Sequence, residues 1–544
     1  MEHIENITNF VRLAADDNSG SLPGSLFIDA SKNKRISGYL ALSLSLIILV
    51  LLVIPSLKTS GNALVDAPVI GSKWPWFNRL EFLRDANTPI REGYRKFKSG
   101  IFKVIGNEIL VIPNKYVDEL RSLPEHKLSS IVANIDNFQG AFSTIDILLE
   151  GDLHTHTIQT RLTPKLGTFI QPICKEIRKS LPVELASSET QWAKHKAFDV
   201  IVRLIARNFA RTAVAPMYDN PEWLAINVKY PENVFKCVIL MRLVPNYLKG
   251  LAAWVIPWTW KVSWNLRGAL RLVVPIVEER QAALARHIQD PSSTYEPPND
   301  LLQWMMEEAT SPRDARPDKL VHRLLVLAMA SVHTTSMACA QAFFDLCEHP
   351  EYLEDLREEI LGALRTDNGW KKTTLTRMRK LDSFMRESQR LNPPSLTGFK
   401  RQVMEPMTLS DGLFLPKGVH LVMPIVPIAQ DESVTGYPLE FDGFRHYRRR
   451  DEPGNAHKYQ FATTDKDNMH FGHGKFSCPG RFFASNTIKI ILAHLILHYD
   501  FRYPEGQGRP KNVCLHEYIF PDPEAQVEFR RKTLEDPDIV AFEV

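Results

Sequence analysis

The chain has 544 residues with 44% hydrophobic and 24% charged side chains, an ordinary globular composition that excludes disordered and fibrous proteins. Lys plus Arg (66) nearly balances Asp plus Glu (63), and the net charge of +3 gives no electrostatic footprint for nucleic acid. The 6 cysteines have no short paired spacing, so neither a disulfide framework nor a structural zinc site is expected.

The first distinctive element is the uncharged segment 36–57, ISGYLALSLSLIILVLLVIPSL. A helix of about 20 apolar residues crosses the hydrocarbon core of a bilayer, so the segment predicts one N-terminal transmembrane helix between a polar extension at 1–35 and a linker at 58–74. The late start of the run disfavours a cleaved signal peptide. Its orientation stays open, because flanking basic residues favour a cytoplasmic N-terminus and a glycosylation sequon at Asn6 favours the opposite.

Residues 75–544 are predicted to form one domain that is mainly α with a minor β-sheet. Helical periodicity predicts helices at 116–124, 158–181, 191–212, 231–252, 265–289, 299–309, 318–347, 350–366, 375–391 and 480–499. Short alternating or β-branched runs predict strands at 102–104, 109–112, 401–409, 413–415 and 420–425.

The segment 318–347 is long and apolar enough for a second membrane span. Polar side chains near its middle, among them Ser331, His333 and Thr334, would however be costly in lipid. We therefore expect a long helix through the protein core. Its polar notch implies a neighbouring group that needs polar contacts.

A glycine-bearing loop at 471–484, FGHGKFSCPGRFFA, precedes the last predicted helix. A lone cysteine is more often a small buried hydrophobe. Here Gly472 and Gly474 allow backbone angles and close approaches that other residues cannot make, and Cys478 stands at the start of a helix. Backbone N–H groups and the helix dipole favour a negative charge at that position, so the loop indicates an accessible thiolate.

This loop resembles the cysteine loop of cytochromes P450. The family pattern F-x-x-G-x-x-x-C-x-G is matched by Phe471, Gly474, Cys478 and Gly480. Further family motifs follow the expected order: the E-x-x-R pair at Glu387 and Arg390, the meander arginine at Arg445 in PLEFDGFR, and the central-helix motif at 330–335. The landmarks cover 75–544 and look most like membrane-bound fungal enzymes of terpenoid, meroterpenoid and indole-diterpene metabolism.

The resemblance implies the cytochrome P450 fold and a haem b cofactor whose iron takes Cys478 as axial ligand. A thiolate ligand favours cleavage of the O–O bond of bound dioxygen. The residues expected around the cofactor are Phe471, Gly472, Gly474, Lys475 and Gly480. Glu387, Arg390 and Arg445 are expected to form a buried structural network that supports the cysteine loop.

Two departures from the family pattern bear on the expected roles. His333 stands where the family has an acid, and a histidine can relay protons near neutral pH, so Thr334 and His333 are expected to handle dioxygen and protons. Phe476 replaces the Arg or His that contacts a haem propionate. The propionate contacts are instead expected from Lys475, Arg401 and His154.

The implied activity is monooxygenation of a hydrophobic secondary metabolite, by hydroxylation, epoxidation or multi-step oxidation. The chain has no nucleotide-binding fingerprint, so electrons are expected from a separate protein. The resemblance implies that this protein is an NADPH-cytochrome P450 reductase on the same bilayer. This implies a single-pass protein of the endoplasmic reticulum with a cytosolic catalytic domain. Two alternatives remain open: a haem-thiolate enzyme doing redox-neutral isomerisation or dehydration, and a membrane-tethered helical binding protein without haem.

Three surfaces follow by analogy. The substrate pocket is expected to be lined by Val326, Met329, Ala330, Leu396, Thr397 and the segment 518–520. An acidic redox partner is expected to dock on Arg448, Arg449, Arg450, Lys475 and Arg481. The region 217–260 is rich in Trp, Tyr and Pro and is expected to face the membrane.

Overall fold

The computed structural model describes residues 65–71, 75–105, 109–290, 292 and 295–533. The extension at 1–35 and the transmembrane helix predicted at 36–57 lie outside the described residues. The predicted architecture of the remaining chain, mainly α with a minor β-sheet, is confirmed.

Helices make up most of the described chain. The longer ones are Leu166–Leu185, Ala197–Ala213, Pro221–Leu243, Pro257–Gln289, Pro317–Glu348, Leu353–Asp367, Arg379–Leu391 and Arg481–His498. The shorter ones are Pro75–Arg84, Asn87–Lys96, Val117–Leu120, Ser130–Asn137, Gly140–Ser143, Leu153–Thr157, Lys249–Val255, Leu301–Glu308, Lys372–Arg377, Ile425–Ala429 and Arg445–Asp451.

The helix Pro317–Glu348, called the central helix below, passes through the protein core. Among the described helices it is the one that is long and apolar enough to cross a membrane, yet 78% of its most apolar stretch is buried inside the protein. It packs against Ala197–Ala213, Pro221–Leu243 and Pro257–Gln289. The expectation of a core helix is therefore confirmed.

The strands are short and form small sheets. They are β1 (Phe102–Val104), β2 (Ile109–Val111), β3 (Leu128–Ser129), β4 (Ala193–Lys196), β5 (Gly398–Val403), β6 (Met407–Thr408), β7 (Phe414–Leu415), β8 (His420–Met423), β9 (Tyr499–Arg502), β10 (Val513–Leu515), β11 (Tyr518–Phe520) and β12 (Gln526–Arg531). The largest sheet has the order β1-β2-β8-β5-β3, a second has the order β4-β12-β9, and β6-β7 and β10-β11 are hairpins.

Several predicted helix boundaries are wrong for reasons that local periodicity does not contain. The helix predicted at 191–212 begins at Ala197, because β4 before it pairs with β12 more than 300 residues later, with Lys196 opposite Gln526. The helix predicted at 231–252 spans Pro221–Leu243. It begins where the Asn220 side chain accepts a hydrogen bond from the Trp223 N–H at 2.9 Å, which is an N-cap.

Candidate active site

The cysteine loop is held by its own backbone. The Cys478 N–H donates to the Phe471 carbonyl at 2.7 Å, which closes the loop on itself. Gly472 and Gly474 have φ of +67° and +77°, so both occupy the left-handed region that other residues rarely adopt. A Cβ on Gly474 would lie 2.7 Å from the Cβ of Arg121, and glycine is therefore required there for packing as well as for conformation.

Two opposing effects act on the pKa of the Cys478 thiol. Burial raises the pKa of the thiol, whereas the backbone N–H groups of Gly480 and Arg481 and the charge of Arg481 act in the opposite direction. The helix Arg481–His498 starts directly after this point, so its positive end faces the sulfur. A cation bound to the sulfur would complete the stabilisation of the thiolate.

The central helix forms the wall of the cavity opposite the loop. Ala330 and Thr334 are exposed to this cavity although the helix around them is buried. The Thr334 hydroxyl donates to the Ala330 carbonyl at 2.6 Å, which leaves the lone pairs of its oxygen available to the cavity. The polar notch predicted from sequence therefore faces the same space as Cys478.

His333 points away from that space, contrary to the expected partnership with Thr334. Its Nε2 donates to the Val228 carbonyl at 3.1 Å, and its ring lies on a separate cavity between Ala197–Ala213 and Pro221–Leu243. Burial lowers the pKa of the imidazole. Consecutive residues of a helix project about 100° apart, which is why neighbours in the motif face different cavities.

Glu387 is fully buried and is the acceptor at the centre of the predicted ion network. Arg390 donates to its two carboxylate oxygens at 2.9 and 2.7 Å, and Arg445 Nε donates to Oε1 at 3.2 Å. His446 Nε2 lies 3.3 Å from Oε2. Burial by itself raises the pKa of Glu387, but Arg390 and His446 outweigh it and hold the pKa well below its usual range.

Two side chains near the loop, the buried Arg401 and the half-buried His470, have buried polar atoms without partners among the described residues. Arg401 is 3% exposed, and its Nη1 donates to the Lys400 carbonyl at 2.8 Å while Nε and Nη2 find no acceptor. Both ring nitrogens of His470, on the wall of the Cys478 cavity, are also unpaired. Unpaired buried donors cost about 1–3 kcal/mol each, so these groups indicate an absent polar partner.

Two other residues predicted to contact the cofactor, His154 and Lys475, do not line the Cys478 cavity. His154 is off the cavity wall, and its Nδ1 accepts from Arg323 Nη1 at 3.4 Å. Ile158, one turn later, reaches the wall instead. Lys475 is exposed, with its Nζ 5.3 Å from the centre of the Phe476 ring.

The cavity between the loop and the central helix has a volume of about 310 Å³. Its apolar wall residues include Ile158, Leu162, Phe209, Leu301, Leu327, Ala330, Phe471, Phe483 and Ile488. Ala330 was expected there, whereas Val326, Met329, Leu396 and Thr397 are buried in the surrounding packing and do not reach this wall. The Cys478 thiol therefore faces a mainly apolar cavity, whose wall on the central helix carries the hydroxyl side chains of Ser331, Thr334 and Thr335.

Sequence reasoning missed His470. The local signal is its position immediately before Phe471, at the start of the cysteine loop. Its lack of a hydrogen-bond partner depends on the tertiary structure. Phe209 and Leu301 on the wall were also missed, because they come from helices distant in sequence.

A thiol at the start of a helix, opposite a threonine notch in a long buried helix, defines the haem-thiolate class of site. The family model described as cytochrome P450 matches residues 116–529. A cytochrome P450 monooxygenase of Emericella nidulans, AN1598, is 49% identical over 478 residues, which are 87% of this chain and 89% of that protein. The chain belongs to the cytochrome P450 family and is a monooxygenase.

Two further comparisons agree with this assignment. An ent-kaurene oxidase of Gibberella intermedia is 37% identical over 488 residues, covering 88% of this chain and 90% of that protein. The retinoic acid-bound cyanobacterial CYP120A1 has the same fold, with a TM-score of 0.63 and 19% identity over 86% of this chain and 99% of that one.

The cofactor of the family is haem b, and the described residues fit it. Cys478 presents its sulfur to the cavity, and the unpaired donors of Arg401 and His470 match the need of a porphyrin for partners to its carboxylates. When bound through this sulfur, haem supplies the activation of dioxygen. The reaction also needs dioxygen itself and electrons from a redox partner.

Proposed function

We propose that the enzyme oxidises an apolar terpenoid of secondary metabolism. The observation that carries this proposal is the mainly aliphatic wall of the Cys478 cavity, which offers few hydrogen-bonding groups to a substrate. A hydrocarbon skeleton is the ligand class that such a wall favours, because its burial is driven by surface removed from water. A relative at 37% identity is named for ent-kaurene, a terpenoid hydrocarbon.

The test is the binding of ent-kaurene to the purified holoenzyme. Binding is detected in the visible spectrum as a change in the spin state of the iron. Saturable binding is expected for the native chain. Ala330→Phe fills the cavity and should abolish it, whereas Ala285→Phe places the same side chain on an exposed helix surface and should not. Equal binding by both variants would refute the assignment of this cavity to the substrate.

Thr334 is proposed to manage protons at the reacting centre. Its Oγ1 holds its proton toward the Ala330 carbonyl and offers lone pairs to a water or dioxygen in the cavity. Among the hydroxyl side chains that the central helix places on this wall, that of Thr334 is the most exposed. His333 takes no part in this proton transfer, because its ring lies on the cavity between the helices Ala197–Ala213 and Pro221–Leu243.

The electron donor is proposed to be an NADPH-cytochrome P450 reductase docked by charge. Of the five basic residues expected for docking, Arg450 is buried and paired with Asp382 at 3.6 Å, so it is unavailable. Lys475 and Arg448 are exposed. Arg481 donates to the Cys478 carbonyl at 2.7 Å, which places a positive charge beside this cysteine.

The catalytic domain is proposed to rest on the cytosolic face of the endoplasmic reticulum, tethered by the segment 36–57. Large apolar side chains are exposed together on the helix Lys249–Val255 and the start of the helix after it: Leu251, Trp254, Val255, Trp260 and Trp264. Trp254 and Val255 are both 76% exposed. Tryptophans favour the bilayer interface, so this patch, which overlaps the predicted region 217–260 and extends beyond it to Trp264, supports membrane contact.

A further inference from the structure

A second large cavity lies away from the active site. It has a volume of about 600 Å³ and is bounded by the helix Leu166–Leu185 and by the C-terminal ends of Ala197–Ala213 and Arg481–His498. The basic side chains on its wall are Lys175, Arg178, Lys179, Arg211, His494, His498 and Arg531. No described carboxylate lines it, and it shares no lining residue with the Cys478 cavity.

The cations of this cavity are largely uncompensated. Within the described chain, Lys175, Arg178, Arg211 and Arg531 form no ion pair. Lys179 lies 3.6 Å from an Asp219 oxygen in a largely exposed pair, where the attraction is weak. Like charges gathered in one concave space repel each other and raise the local positive potential.

Helix capping does not account for this cluster. Arg211 and His498 stand in the last turns of their helices, where a positive charge is favourable. Lys175 and Arg178 are in the middle of a helix, and Arg531 ends strand β12. The two helix ends contribute about half a negative charge each, which leaves the cavity strongly positive.

The two histidines on the wall have lowered pKa values, mainly because they are buried. Burial, with Arg531 and Arg178 nearby, lowers the pKa of His498 to about 4. His494 donates through Nδ1 to the Ile490 carbonyl at 2.7 Å and stacks on Trp370 with ring centres 4.7 Å apart. An imidazole held in place and neutral offers hydrogen bonding without adding charge.

We propose that this cavity binds a ligand that carries two or more phosphate groups. Arginine forks bind phosphate oxygens in pairs, and lysines add point charges around them. The volume is that of a small-molecule site, larger than a single inorganic anion needs. A soluble organic polyphosphate and the headgroup of a phosphoinositide share this chemistry.

The test is titration calorimetry of the full-length holoenzyme with inorganic triphosphate at low ionic strength. We expect saturable binding that weakens as salt is added. The double variant Arg178→Gln/Arg531→Gln should lower the affinity at least about tenfold. Arg95→Gln removes one exposed positive charge far from the cavity and should leave the affinity unchanged. Equal binding by all three proteins would overturn the site.

Two further experiments show whether the ligand is a lipid or a soluble molecule, and whether the C-terminal segment competes with it. Triphosphate is first competed with vesicles of phosphatidylcholine that contain phosphatidylinositol 4-phosphate, and then with vesicles of phosphatidylcholine alone. Displacement by the first vesicles only identifies a lipid headgroup as the ligand. If neither kind of vesicle displaces triphosphate, the ligand is a soluble one. Residues 534–544, outside the described chain, contain four carboxylates. If triphosphate binds only after truncation behind Thr533, this segment fills the cavity and the proposal fails. It also fails if neither chain binds.

Discussion

Arg445 Nε lies 3.2 Å from Glu387 Oε1 although the two residues are 58 positions apart. Arg445 also donates to the Gly436 carbonyl at 2.5 Å, and Arg390 to the Pro438 carbonyl at 2.5 Å. One buried carboxylate thus connects the helix Arg379–Leu391 to the irregular segment that leads toward the cysteine loop.

Glu387→Gln should destabilise the protein by about 3–5 kcal/mol, because it leaves two arginines facing a neutral group in a buried site. The measurement is the free energy of unfolding in urea. Glu92→Gln is the matched control, since Glu92 pairs with Lys96 on the exposed surface and its loss should leave the midpoint unchanged. A native-like midpoint for Glu387→Gln would show that the network contributes little.

Thr334→Ala should lower product formation per NADPH by about tenfold or more, with the electrons diverted to hydrogen peroxide, because the proton-holding hydroxyl on the cavity wall is lost. Thr334→Ser should restore most of the coupling. Ser336→Ala is the control: its hydroxyl also donates to the preceding turn, to Val332 at 2.7 Å, but is buried off the cavity wall. Unchanged coupling in Thr334→Ala would exclude the proposed role.

Arg401→Leu and His470→Leu should each speed haem release by about tenfold, equal to about 1.4 kcal/mol. Haem transfer to apomyoglobin measures this rate. The same variants should stabilise the haem-free protein, because they remove buried polar atoms that lack partners there. A merely structural role would destabilise both forms.

The control for these variants is His473→Leu, in the same loop. Its Nδ1 is 3.0 Å from the Thr464 hydroxyl, so it has a partner without haem. This variant should leave the rate of haem release unchanged.

Trp254→Phe combined with Trp260→Phe and Trp264→Phe should remove most of the fluorescence quenching that the patch undergoes from brominated lipids in nanodiscs that hold the full chain. The reason is that these tryptophans belong to the exposed apolar patch proposed to contact the bilayer. Trp370→Phe, which changes a ring that is 5% exposed, should leave the quenching as it is. Undiminished quenching in the triple variant would place the patch away from lipid.

Lys475→Glu combined with Arg448→Glu should raise the KM for the reductase by about tenfold at low salt, with a smaller effect at high salt, because exposed charges act mainly on association. Lys417→Glu makes a comparable change at another exposed site. If the double variant and Lys417→Glu have equal effects on the KM, docking does not involve this basic surface.

The sequence motifs, through their resemblance to the family, predicted the cysteine loop and the E-x-x-R pair. Glycines at φ of +67° and +77°, a cysteine at a helix start and a Glu–Arg spacing of one turn are short-range requirements that the chain must meet by residue type. The apolar periodicity likewise predicted the central helix, and the polar side chains in its middle favoured the protein core over a membrane.

The tertiary structure alone decided which groups meet. Helix phase sends His333 to one cavity and Thr334 to another, and only packing reveals that His470 and Arg401 lack partners. The seven basic residues of the second cavity come from segments that are far apart along the chain. Contacts of this kind depend on how helices and strands pack over long sequence separations, and no local pattern encodes that geometry.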